Sequence, residues 1–82
     1  MRDVSDEMST EEAALGFSVV ETTTGIRKVV LPLGSGLCAV KVRRGDGTFE
    51  YEVCDERFQP MYVAAADIGE LRDRFPRAFR QR

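Results

Sequence analysis

Cys38 and Cys54 are the only thiols in a chain of 82 residues that has no histidine. That inventory narrows the chemistry at once. Without an imidazole there is no Ser-His-Asp or Cys-His site, and the commonest neutral-pH base and metal ligand is missing. An all-thiolate zinc site needs four cysteines. No position is therefore assigned a catalytic, cofactor-binding or metal-binding role. The two cysteines invite a disulfide, but the hairpin that carries them, read with a two-residue loop, points them to opposite faces. Both then read as free thiols, Cys38 buried as a small hydrophobe and Cys54 on the more polar side.

Other sequences that could do chemistry have simpler explanations. Gly34-Ser35-Gly36 lacks the Lys-Ser or Lys-Thr and the helix start of a phosphate-binding loop, and reads as a flexible connection. Arg44-Gly45-Asp46 is accounted for by turn chemistry. Residues 70–82 carry five arginines against two acids. Glu70–Arg74 and Asp73–Arg77 are spaced i,i+4 with the acid first, the favourable order. That leaves Arg72, Arg80 and Arg82 as a candidate basic edge, the basis of an alternative reading as a nucleic-acid-associated accessory protein.

These residues must be held by elements, and the pattern names them. Ser9-Thr10-Glu11-Glu12 matches a capping box, so a short helix is expected over residues 10–15, closed by Gly16. Residues 17–23 and 26–33 are rich in Val, Ile, Phe and Thr and read as strands joined at Thr24-Gly25. Residues 37–54 alternate around Asp46-Gly47, the strongest short hairpin signal. With Asp46 and Gly47 as a two-residue loop, Val40 faces Val53, Val42 faces Tyr51, Lys41 faces Glu52 and Arg43 faces Glu50. One face is then apolar and the other a charge ladder. A last short strand is expected over residues 61–65. Asp67 caps a helix with Glu70 at its third position, and Ile68, Leu71, Phe75 and Phe79 form one apolar stripe. Pro76 must stop or kink that helix.

The fold expected is α+β: an antiparallel meander of four to five strands, with a short N-terminal helix and a C-terminal helix packed on one face. A half-open SH3-like barrel is the alternative. Residues 1–8 read as a disordered acidic tail and residues 9–82 as a single domain. Hydrophobic content of 43% and net charge of −2 suit an ordinary globular chain. The N-terminus has no apolar signal segment and no run is long enough to span a bilayer, so a cytoplasmic setting without a membrane partner is expected.

Read with Thr24-Gly25 as the loop, the first hairpin is apolar on both faces. Phe17, Val19 and Val30 share one of them. A chain this short buries only about 60–65% of its unfolded surface, so these three residues are expected to form a protein interface. The function expected is a non-enzymatic protein–protein interaction module, acting as adaptor, regulator or inhibitor and self-associating as a homodimer.

Overall fold

The computed structural model describes residues 8–79. Helix α1 (Thr10–Leu15) leads into strands β1 (Ser18–Glu21), β2 (Arg27–Gly34), β3 (Leu37–Arg43), β4 (Phe49–Asp55) and β5 (Pro60–Ala65), followed by helix α2 (Ile68–Arg74) and a 3-10 turn (Pro76–Phe79). The strands form one antiparallel sheet in sequence order. The expected α+β meander is thus the observed fold.

Local chemistry sets both helices. The Ser9 hydroxyl accepts the Glu12 N–H at 3.1 Å while the Glu12 carboxylate accepts the Ser9 N–H at 2.8 Å. Gly16 ends α1 with φ of 106°, a conformation that costs other residues about 1–2 kcal/mol. Asp67 caps α2 by accepting the Glu70 N–H, and Glu70 reaches past the cap to the Ala66 N–H. Pro76 supplies no N–H for a further helical turn, and α2 closes with the Phe75 N–H on the Leu71 carbonyl at 2.9 Å.

The turns differ from the sequence reading, and every face follows from them. In the central hairpin the Gly47 N–H bonds the Arg44 carbonyl and the Arg44 N–H bonds the Thr48 carbonyl at 2.7 Å. Gly47 has φ of 90°, whereas Asp46 is not in the left-handed region. This is a three-residue loop, a type I turn closed by a glycine bulge. The Asp46 carboxylate fixes it by accepting the Thr48 N–H and hydroxyl. The first hairpin repeats the device over residues 22–26 with Gly25. The β4–β5 connection repeats it again over residues 55–59, with Phe58 at φ of 66° in the glycine position. Gly34-Ser35-Gly36 is no flexible linker. β2 runs through Gly34, and Ser35 and Gly36, both at positive φ, make a two-residue turn to Leu37.

A three-residue loop moves the register by one, which sends side chains to the other face. Val40 pairs with Glu52, Val42 with Glu50, Lys41 with Tyr51, and Cys38 with Cys54. The expected division into an apolar face and a charge ladder is therefore corrected, and so is the placement of the cysteines on opposite faces. In the first hairpin Val19 pairs with Val29 and Ser18 with Val30, so Val19 and Val30 do not share a face.

One face of the sheet carries the main core: Phe17, Val29, Leu31, Ala39, Tyr51, Val53 and Ala65 are buried there together with Leu71 of α2. Met8, Ile68, Phe75 and Phe79 pack around them. Residues 1–7 of the expected tail lie outside the described residues, whereas Met8 packs on the core. The opposite face holds a smaller cluster of Val30, Val40 and Cys54, sheltered by Val20, Cys38, Val42 and Phe58.

The loop assignment is tested by glycine substitution. A Cβ at either Gly45 or Gly47 would meet nothing within 4 Å, but only Gly47 has positive φ. Gly47→Ala should cost about 1–2 kcal/mol through the backbone alone, and Gly45→Ala under ~0.5 kcal/mol, measured by urea unfolding. Equal costs would remove the bulged loop.

Candidate interaction surface

Two of the three residues expected at the interface are covered by the chain itself. Phe17 is 4% exposed in the main core and Val30 is 8% exposed in the opposite cluster, while Val19 is 43% exposed. They form no common patch. The basic edge is represented among the described residues by Arg72, whose guanidinium lies 5.6 Å from the Phe79 ring centre. Arg80 and Arg82 fall outside the described residues.

Exposed apolar side chains gather instead on β5. Met61, Tyr62 and Val63 are consecutive and 52%, 60% and 79% exposed. The cause is the pairing of this strand. β5 meets β4 at Tyr51–Ala65, Val53–Tyr62 and Cys54–Pro60, with a register shift between each. Such irregularities bend a strand and re-aim its side chains, so the strand expected over residues 61–65 leaves three apolar side chains exposed. No pattern in the sequence marks those shifts.

Between β5 and α2 lies a groove of about 470 Å³ lined by Leu37, Tyr62, Val63, Arg74 and Phe75. α2 positions its far wall. Leu71 anchors the helix on the core and Phe75 follows one turn later. Arg74 then reaches across the groove to β5, donating to the carbonyls of Val63 and Ala64 and to the Glu70 carboxylate. This clasp occupies carbonyls that an edge strand otherwise offers to a neighbour. The surface thus presents side chains for recognition more than backbone.

The one buried charged residue among the described residues is Glu12, 2% exposed. One carboxylate oxygen accepts the Tyr51 hydroxyl at 2.6 Å and the other the Lys41 ammonium at 3.0 Å. Burial pushes Glu12 up, but Tyr51, the Ser9 N–H and Lys41 outweigh it and hold the carboxyl below its ordinary value. The same burial, with Glu12 behind it, raises the Tyr51 phenol. Both Glu12 oxygens accept hydrogen bonds, so the cluster fastens α1 to the sheet. The sequence places Glu12 in its capping box but gives no sign that Lys41 and Tyr51 converge on it.

The thiols lack the activation of a catalytic nucleophile. Burial, then Asp55, raises Cys38. Burial, then Glu52, pushes Cys54 up to about 11. A nucleophilic cysteine needs the opposite shift. Among the described residues no group of His, Cys, Asp or Glu is placed to hold a metal, and no helix is long and apolar enough to cross a membrane.

Comparison with known protein families, curated proteins and solved structures finds no match to this chain.

Proposed function

We propose that this chain is a small non-enzymatic protein-binding module, an adaptor, regulator or inhibitor, whose contact surface is the β5–α2 groove. The observation that carries this reading is that Tyr62 and Val63, exposed on β5 next to Met61 in sequence, line an apolar groove. Scattered surface hydrophobes need no explanation, but contiguous ones bordering a concavity characterise recognition surfaces. Arg77, beside Phe75 and Pro76 in the adjoining hollow, supplies a cation at the rim. The partner that fits is a segment with apolar anchors flanked by carboxylates. The lack of histidine, the protonated thiols and the fully engaged Glu12 favour binding over catalysis.

Val63→Asp tests the surface. Val63 is 79% exposed, so its replacement should change stability by under ~0.5 kcal/mol. Capture of partners from the native host should weaken at least ~10-fold, about 1.4 kcal/mol. Sedimentation of both proteins reads whether a second copy is among the partners. Undiminished capture and unchanged association by a folded Val63→Asp protein would remove this surface from the function.

A further inference from the structure

We infer that Cys38 and Cys54 form a cross-strand dithiol site that a low-molecular-weight disulfide, such as oxidised glutathione, converts to an intramolecular disulfide. The register carries the inference. The two residues are direct Cα partners across β3 and β4, and both belong to the apolar cluster on the sheet face away from the helices. Directly opposed residues in antiparallel strands have Cα atoms about 4.5–5.5 Å apart. A disulfide spans about 4.4–6.8 Å. The Cα separation expected of the pair therefore falls within the range that a disulfide spans.

Both thiols are free and turned toward other atoms. The Cys38 sulfur lies 3.6 Å from the Asp55 carbonyl and the Cys54 sulfur 3.9 Å from the Glu52 carboxylate. Closing the bond requires side-chain rotation between staggered wells, with no change of strand pairing.

Access differs between the two, and this sets the order of events. Cys54 is 1% exposed. Cys38 is half-buried and lines an open hollow of about 330 Å³ with Pro32, Gly34, Gly36, Leu37 and Glu56. A Cβ at Gly34 would meet nothing within 4 Å, so that side of the hollow is open. Cys38 reacts first. It gives its proton to solvent, and its sulfur attacks one sulfur of the oxidant. The oxidant's sulfur–sulfur bond breaks and one thiol leaves. Cys54 then loses its proton and attacks the Cys38 sulfur, breaking the mixed disulfide and releasing the second thiol. The protein loses two protons and two electrons, and the oxidant gains both. Protonated, buried thiols slow the first attack without changing where the exchange ends.

The test uses the folded full-length chain with oxidised glutathione, read by non-reducing peptide mass spectrometry and thermal melting. The expected product is a monomer with Cys38 joined to Cys54, melting about 10–20 °C higher and returned to its starting Tm by dithiothreitol. Cys54→Ser should stop at one glutathione on Cys38, and Cys38→Ser should stay unmodified. Cys54→Ala serves if serine at that buried position unfolds the chain. A persistent Cys38 adduct in the wild type, cross-links only between molecules, no reaction, or an adduct at Cys54 in Cys38→Ser would each overturn the assignment.

Discussion

Replacing Glu12 with alanine should destabilise the chain by about 3–5 kcal/mol, measured by urea unfolding at neutral pH. The Glu12 and Lys41 side chains are only 3% and 9% exposed, and breaking a buried ion pair by removing one member is strongly destabilising. The Tyr51 hydroxyl loses its partner as well, and so does the Ser9 N–H at the helix cap. α1 has only six residues, too few to persist without docking, so its amide protection should vanish first. A loss below ~1 kcal/mol would mean the cluster does not fasten the helix.

The same cluster makes stability depend on pH at both ends. The folded Glu12 sits below its ordinary 4.5, so its contribution is present above that value and fades as pH falls through the folded one. The folded Tyr51 sits above its ordinary 10.0, so its contribution is complete below pH 10.0 and fades as pH rises through the folded value. Glu12→Gln should flatten the acid limb. An unchanged acid limb in that variant would assign it to other carboxylates.

Leu71→Ala should cost about 2.7–5 kcal/mol and lower Tm by about 10 °C or more. Leu71 is the one buried residue of α2 and is 0% exposed. The sheet beneath it is held by its own pairing and has little freedom to fill the void. A domain of this size has roughly 4–12 kcal/mol in total, so the variant should be largely or partly unfolded at physiological temperature. Because Leu71 also sets Arg74 and Phe75 on the groove wall, partner capture should fall with stability. A Tm within ~3 °C of wild type would show that α2 is not anchored through this side chain.

The helices were legible because capping is local. Ser9, Glu12, Gly16, Asp67 and Pro76 act within a few residues of themselves, and each does what its type and position suggest. Register was not, because Asp46-Gly47 serves equally as a two-residue loop or as the end of a three-residue one. Opposed charges made the two-residue choice attractive, pairing Lys41 with Glu52 and Arg43 with Glu50. Exposed ion pairs are worth under about 1 kcal/mol. Burying Ala39, Tyr51 and Val53 under the helices is worth more, and the charges find other partners: Arg44 reaches Glu50 at 3.1 Å and Lys41 reaches Glu12. From that slip follows the missed cysteine pair, and the same slip at Thr24-Gly25 in the first hairpin misplaces Val19 and Val30. The β5 surface was hidden for a different reason: its exposure comes from two breaks in pairing with β4 that no residue announces.

Among the described residues the large exposed apolar side chains are Met61, Tyr62 and Val63 on β5 and Val19 and Ile26 on the first hairpin, and one measurement chooses between β5 and Val19. A photo-reactive phenylalanine analogue is placed at position 63 in one protein and at position 19 in another, each expressed and irradiated in the native host. Covalent capture of a discrete partner from position 63, with none from position 19, is the result this account requires. Capture from position 19 alone would return the interface to the first hairpin and contradict it.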